Sequence, residues 1–423
     1  MRIGLFTDTY FPSINGIVYV VDITRRHLES MGHEVFVFCP SEGIRITDEE
    51  KKDDHVIRFR GIMKGLLFDD YNLSLFFPAA RLRQINDLNL DVIQFFTPGQ
   101  IGLMGVHAAQ KNNTVLVAQH STDVSHYIRH YPAVIPGLLI LALILPLTFR
   151  FHGRDAKTLV KLYKPQRLVS KWGQYIVEQL VAMIYSRCDA VIALSPKSKK
   201  QLESWRKDYW YEVTTVPTGV DPLKKPTNSE IIKFKSDFGI AGTDEIILYV
   251  GRLGAEKNLD ILIPMIKKVL KKRPKARLLY VGDFEYRETL EKLARGSGVG
   301  DRITFTGALP RQDLGVAYGS ANIFVFPSLT DTQGLVVHEA ACAGLPFVLI
   351  DRYVSEVVRE NENGFFAENN HNSLANCVIK ILENDKLRKE FGLRSKELAN
   401  SYGEFEQTKK LEQIYQDIID KRN

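Results

Sequence analysis

EIILYVGRLGAEKN, residues 245–258, is the stretch whose reading decides the fold. A short apolar, β-branched run enters a Gly-Arg turn directly, with no polar alternation, and a helical pattern follows. That is the signature of a parallel strand buried on both faces. Working outward, ARLLYVGD (276–283), ITFTGAL (303–309), IFVFPS (323–328) and PFVLID (346–351) repeat it, with helical stretches such as Asn258 to Lys272 and Gly334 to Ala343 between them. Upstream the same rhythm runs through RIGLFTD (2–8), HEVFVFCP (33–40), DVIQFFTP (91–98), TVLVAQH (114–120) and CDAVIALS (188–195). The segment VPTGVDPLKKPTNSE (216–230), rich in turn residues, separates the two series. The expectation is an α/β chain of two Rossmann-like doubly wound domains facing across a cleft. The first covers 1–210, the second 211–400, and a last helix over 401–423 returns to the first. Ligands in such folds sit outside the carboxyl ends of the strands, so chemistry is sought there.

Composition agrees with this and excludes some classes. The chain has 423 residues, 45% hydrophobic and 25% charged, which is too long for one ordinary core and too balanced for disorder. Cys39, Cys188, Cys342 and Cys377 lie far apart in apolar stretches, which reads as buried, reduced thiols of the cytoplasm. The N-terminus enters a strand at once and lacks the basic start and apolar core of a signal peptide, so no export is expected. Net charge is +6, but its location matters more. Arg150, Arg154, Lys157, Lys161, Lys164, Arg167 and Lys171 crowd one segment against a single acid, Asp155, which points to an anionic surface as partner.

The second half carries a constellation of charges. Arg252 and Lys257 follow a strand end beside a helix start, where two cations can neutralise a diphosphate. In FVFPSLTDTQGLVVHEAACAG (324–344), Asp331 falls in the loop after a strand and Glu339 falls in the following helix. Backbone amides near Gly334 and Leu335 are placed to hold a phosphate between the two acids. Carboxylates at both ends suit a nucleotide sugar, whose hexose and ribose both present hydroxyl pairs. Taken singly, each of these features is also compatible with solvated surface charge.

GRLGAEKN followed by PSLTDTQGLVVHEAACAGLP resembles the paired motifs of the retaining family 4 glycosyltransferases of the GT-B fold. FTDTYFPSINGIVYVV (6–21), HSTD (120–123), SPKSK (195–199) and VPTGVD (216–221) resemble that family too, so the likeness spans nearly the whole chain. It implies a nucleotide-sugar-dependent hexosyltransferase that retains anomeric configuration. It assigns the donor diphosphate to Arg252 and Lys257, and the sugar and ribose to Asp331 and Glu339. Asn15 and Gly16 would stand near the donor phosphates, and His120 would touch the sugar at its reacting centre, sharing the catalytic role with Asp331. One departure is Asp331, since Glu is usual there and Asp is one methylene shorter. No metal and no cofactor are expected. The acidic pairs Asp53-Asp54 and Asp69-Asp70 read as solvated loop residues. UDP-glucose is the favoured donor and GDP-mannose the second choice.

For the acceptor, AVIPGLLILALILPLTF, Ala133 to Phe149, holds no charge and is followed by the basic stretch. Its length and Pro136 and Pro146 disfavour a simple spanning helix. An apolar wedge next to cations is what docking on anionic lipid requires. Residues 133–171 are therefore expected to bind an anionic membrane, with Lys157, Lys161 and Lys164 on one helical face and Leu138, Leu139, Ile140, Leu143, Ile144 and Leu145 inserting. The donor motif DTQG also resembles glycolipid-forming members such as diacylglycerol glucosyltransferases and phosphatidylinositol mannosyltransferases. A lipid acceptor at the inner face of the cell membrane follows. The alternative is a soluble or polysaccharide acceptor, with 133–149 as core. A non-enzymatic membrane or nucleic-acid binding module would leave the motifs without purpose, and no nucleic acid partner is expected.

Overall fold

The computed structural model describes every residue except 14, 44, 49, 65–71, 75–78, 124, 126, 127, 129–134, 167 and 423. Ala133, Arg167 and the Asp69-Asp70 pair, singled out above, therefore lie outside the described residues. The chain divides into two compact units, Met1–Thr218 with Glu404–Asn423, and Gly219–Gly403. The crossings fall within VPTGVD and just past Tyr402, a few residues beyond the boundaries expected at 210/211 and 400/401.

In the first unit the strands are β1 (Arg2–Phe6), β2 (Glu34–Pro40), β3 (Val56–Phe59), β4 (Gly61–Lys64), β5 (Asn72–Ser74), β6 (Val92–Phe95), β7 (Val115–His120), β8 (Ala190–Ala193) and β9 (Val213–Thr215). β4 and β5 pair antiparallel by themselves. The other seven form a parallel sheet in the order β3-β2-β1-β6-β7-β8-β9. All of β6 and β7 is buried, as their unbroken apolar patterns require of strands covered on both faces. The helix Gln100–Asn112 turns so tightly against the loop that leads out of β6 that a Cβ on Gly102 would stand 1.9 Å from the Thr97 carbonyl oxygen. Only glycine permits that approach. The last helix, Glu404–Arg422, packs on Gly16–Ser30 in this unit, where Tyr19 donates to Glu404 at 3.0 Å and Arg422 reaches Asp189 at 2.7 Å.

The second unit holds β10 (Glu245–Val250), β11 (Ala276–Val281), β12 (Ile303–Phe305), β13 (Ile323–Phe326), β14 (Phe347–Leu349) and β15 (Gly364–Phe366). They pair in parallel in the order β12-β11-β10-β13-β14-β15. Strand order reverses between β10 and β13, and such a switch point opens a crevice at the carboxyl ends of the two strands. Arg252 and Lys257 follow β10 and Asp331 follows β13, so the charged motifs flank that crevice. The four cysteines are free thiols; Cys39 is buried as expected, whereas Cys188, Cys342 and Cys377 are only half-buried.

Candidate functional site

β10 is followed by Gly251, whose φ of +145° only glycine adopts without strain, and a Cβ on neighbouring Gly282 would stand 1.9 Å from the Gly251 carbonyl oxygen. This close pair fixes where the next residues start. Tyr249 donates to the Arg252 carbonyl at 3.1 Å, and the Arg252 guanidinium lies 4.7 Å from the Phe284 ring centre with its side chain 46% exposed. Lys257, by contrast, is buried. Its Nζ donates to Asp331 Oδ1 at 2.8 Å and stands 3.9 Å from Glu256 Oε1, while Arg252 reaches the same Glu256 oxygen at 3.3 Å. Asn258, held in the left-handed region, donates to the Pro327 carbonyl at 3.2 Å and ties the two loops together. The structure thus joins Arg252, Lys257 and Asp331 in one cluster. It adds Glu256, which sequence reasoning missed although it directly precedes Lys257.

Two cations facing two carboxylates balance in formal charge, with Lys257 and Glu256 buried and Arg252 half-exposed. A diphosphate placed here can compete with the two carboxylates for Arg252 and Lys257 through charge-assisted hydrogen bonds of its own.

Glu339 belongs to the helix Leu335–Ala343, which begins after Gly334. Gly334 carries no side chain that could compete for the first-turn amides, which keeps that helix start suited to an anion. Glu339 is 5% exposed, and both its oxygens are engaged within the second unit: Tyr318 donates to Oε2 at 2.7 Å and Arg311 pairs with Oε1. Burial, then the adjoining carboxylate, holds the Tyr318 phenol well above its ordinary value, so it stays a donor. Each carboxylate oxygen keeps a second lone pair, which leaves Glu339 able to accept from sugar hydroxyls. Arg311 and Tyr318 were not anticipated; the Pro310-Arg311 helix start was the one available signal for the first.

In the first unit, Asn15 is the N-cap of Gly16–Ser30, accepting from the Ile17 and Val18 amides at 3.0 and 3.1 Å, and its amide donates to Thr9 at 3.0 Å. Gly16 is the first residue of that helix, and a Cβ there would meet nothing within 4 Å. Asp8, fully buried, accepts from the Ile101 amide at 2.8 Å and from Thr97; burial pushes its carboxyl up to about 6. His120 ends β7. It is buried, with Nδ1 3.0 Å from the Tyr185 hydroxyl and its ring edge-on to Tyr185 and Trp205. Burial pushes its imidazole down to about 4 against the opposing pull of Asp123, so at neutral pH it is an uncharged hydrogen-bond partner.

The apolar run forms the helix Ile135–Thr148, and the structure corrects which side chains face outward. Ala142 and Leu145 are fully buried, and Leu138, Leu139 and Ile144 are half-buried; Leu138 and Leu139 pack on the core of this unit. The exposed stripe is Ile140, Leu143 and Leu147, at 56%, 64% and 70%. Val160, Tyr163, Leu168 and Val169 are exposed as well, and the Tyr163 hydroxyl donates to the Leu139 carbonyl at 2.7 Å. The next helix, Gly153–Leu162, exposes Arg154, Lys157 and Lys161. It ends before Lys164, which follows in the turn rather than on the helical face. Asp155 is buried and paired with Arg187 at 2.6 Å, so the acid that offset this segment's cations in the sequence does not offset them at the surface. Among the described residues, no helix is long and apolar enough to cross a membrane.

Comparison with known proteins gives two family matches. The Glycosyltransferase Family 4 model matches residues 14–134 and 116–223, and the Glycosyl transferases group 1 model matches 230–398. An alpha-monoglucosyldiacylglycerol synthase of Acholeplasma laidlawii is 27% identical over 100% of this chain and 98% of that protein. The sulfoquinovosyl transferase SQD2 of Arabidopsis thaliana is 28% identical over 95% of this chain and 70% of its own length. Among solved structures, a sucrose-phosphate synthase from Thermosynechococcus elongatus superposes with a TM-score of 0.70 over 99% of this chain and 98% of the other, at 20% identity.

Proposed function

Because this chain belongs to glycosyltransferase family 4 and carries the GT-B fold, we propose that it moves a hexose from a nucleotide sugar to a membrane lipid with retention of configuration, forming a glycolipid such as a glucosyl-diacylglycerol. One observation carries the lipid reading: an exposed apolar stripe on Ile135–Thr148 next to a helix whose exposed charges are all cationic. The monoglucosyldiacylglycerol synthase and SQD2 likenesses support it. Such a surface binds anionic headgroups through its cations and the acyl boundary through its aliphatic side chains. In this reading the enzyme works peripherally at the cytoplasmic face of the membrane. Four free thiols are in keeping with that compartment.

In this reading Arg252 and Lys257 take the donor diphosphate as Lys257 exchanges Asp331 for a phosphate oxygen. The released Asp331 then accepts from a hexose hydroxyl, and Glu339 accepts from the ribose. As the bond from the anomeric carbon to the phosphate oxygen breaks, its electron pair leaves with the nucleoside diphosphate, the acceptor hydroxyl oxygen forms the new bond to that carbon on the same face, and the hydroxyl proton passes to the departing phosphate oxygen. The two cations and the helix start at Gly334 stabilise the charge that grows there. His120, uncharged, contributes a hydrogen bond to the sugar. Asn15 holds the helix start at Gly16 in place. No metal and no cofactor enter this scheme, and UDP-glucose is the favoured donor over GDP-mannose.

The test supplies UDP-glucose or GDP-mannose with dioleoylglycerol in phosphatidylglycerol vesicles and, separately, with soluble sugars. An α-linked lipid product supports the proposal. Transfer to soluble sugars with none to lipid sinks it in favour of the soluble-acceptor reading, in which only the donor assignments survive.

A further inference from the structure

The chain has three tryptophans, Trp172, Trp205 and Trp210, and the fold shelters the first two. Trp205 is 6% exposed, and Trp172 is half-buried with its indole N–H donating to the Leu162 carbonyl at 2.8 Å. Trp210, by contrast, is 71% exposed. It lies in the segment that leads into the edge strand β9, between two fully buried neighbours. The Tyr209 hydroxyl donates to Thr158 Oγ1 at 3.1 Å, and the Tyr211 hydroxyl donates to the Leu202 carbonyl at 2.7 Å. With both tyrosines anchored in the core, the side chain between them is held outward.

One exposed apolar side chain is ordinary. What sets Trp210 apart is its place. The Arg154 guanidinium stands 4.8 Å from the centre of the Tyr209 ring, so Tyr209 lies along Arg154 and Thr158, on the first two turns of Gly153–Leu162. At 3.6 residues per turn, Arg154, Lys157 and Lys161 fall within about 60° of one another, and Thr158 adjoins that arc. The exposed cations of this helix therefore line the flank on which Tyr209 packs. Trp210 is one residue away, about 3.8 Å from Cα to Cα. Just past the other end of the helix, Tyr163 reaches the Leu139 carbonyl of Ile135–Thr148. The cationic helix is thus tied to the exposed aliphatic stripe at one end and to an exposed indole near the other. Around Trp210 the exposed acids Asp208 and Glu212 are outnumbered by the exposed Arg154, Lys157, Lys161 and Lys207. All of these residues lie within the first unit.

We propose that Trp210 is a second membrane anchor, which enters the headgroup layer of an anionic bilayer on the side of the cations away from the aliphatic stripe. An indole joins a broad apolar ring to a single N–H donor, and that combination suits the boundary between acyl chains and water. A lone stripe leaves the unit free to roll about it, whereas a second contact beyond the cations stops that rotation. This rests on the reading that the first unit docks on anionic lipid, and the test separates the two.

Intrinsic fluorescence is recorded for the parent and Trp210→Phe with phosphatidylglycerol vesicles whose acyl chains are plain or brominated. Co-sedimentation is measured for both and for Trp210→Ala. The parent's emission should shift to the blue on plain vesicles and be quenched on brominated ones. Trp210→Phe should still sediment yet lose most of both effects, since Trp172 and Trp205 are sheltered in the fold. Trp210→Ala should partition about five- to thirtyfold more weakly, from the worth of burying a large apolar side chain scaled by the exposed share. Should Trp210→Ala fail to fold, Trp210→Phe keeps the ring and the quenching readout decides. A parent that sediments while brominated chains leave its emission unchanged overturns the anchor and spares the docking surface, as does a folded Trp210→Ala that binds like the parent. A parent that does not sediment at all overturns both. A blue shift that grows with protein concentration in the absence of lipid assigns Trp210 to a contact with a second copy of the chain and overturns the proposal.

Discussion

Replacing Ile140, Leu143 and Leu147 together by serine should strip the apolar term from membrane docking while leaving the fold intact. The three side chains are 56%, 64% and 70% exposed, so little packing is lost with them. Fully burying such a side chain is worth about 1.5–3 kcal/mol, and scaling by the exposed share gives roughly 1–2 kcal/mol each for insertion. The sum is about 3–6 kcal/mol, or on the order of a hundredfold to ten-thousandfold in vesicle partition. The cations contribute separately: Lys157, Lys161 and Lys164, at about 1 kcal/mol each near an anionic leaflet, give roughly another hundredfold. Salt screens the second term and leaves the first. Co-sedimentation with phosphatidylglycerol and phosphatidylcholine vesicles at low and high salt separates them. The serine variant should keep a preference for anionic vesicles that high salt abolishes. Conversely, a variant with Glu at Lys157, Lys161 and Lys164 should bind both lipids weakly and alike. Leu145→Ser is the control: its side chain is fully buried, so it should destabilise the unit by about 2–5 kcal/mol rather than alter docking selectively. A serine variant that sediments like the parent, or a parent that ignores anionic vesicles at low salt, refutes the docking surface.

Arg252→Ala and Lys257→Ala should each cost about 1.5–3 kcal/mol in kcat/KM for the donor, and only Lys257→Ala should also lower the Tm, since it leaves Asp331 and Glu256 facing each other without the buried cation. A doubly substituted enzyme with normal activity would remove the phosphate assignment. His120→Ala should bind UDP like the parent by calorimetry yet transfer sugar more slowly. With the imidazole pushed down to about 4, the parent's pH-rate profile should show no histidine step from His120 near neutrality; finding one that vanishes in His120→Ala contradicts the buried, uncharged assignment. Burial pushes the Glu356 carboxyl from 4.5 up to about 7, so between those values the folded chain holds a proton the unfolded chain has released. Its contribution is fully present below the unfolded value and is lost as pH rises through about 7, in total on the order of 3 kcal/mol. Glu356→Gln should flatten the fall in urea midpoint across that window, and an unchanged slope would show that the carboxyl titrates normally.

The parts of this protein legible in its sequence are those whose physics is local. Strands buried on both faces read as unbroken apolar runs, so β1, β2, β6, β7, β10 and β11 could be placed from the order of residues. Arg252, Lys257 and Asp331 were found because loops at strand ends carry their chemistry in short segments. Partners distant along the chain left little trace. Arg311 stands 28 positions before Glu339, and only the packing of the helix Arg311–Ser320 brings them together. Glu256 went unnoticed because an acid beside two bases reads as ordinary surface charge, whereas in the structure it is buried between them. The apolar helix Ile135–Thr148 shows the limit most plainly. A face is read from contrast between apolar and polar positions, and this helix offers almost none, which is why Leu145 was expected outside and Leu147 was overlooked. Yet the lack of contrast is itself informative once Ala142 and Leu145 are seen in the core and Ile140, Leu143 and Leu147 outside it. In water, an outer face has no physical reason to stay aliphatic, and polar substitution there costs the fold nothing. A helix apolar all round but buried on one side is therefore suited to two apolar environments, the protein core and the acyl boundary of a membrane.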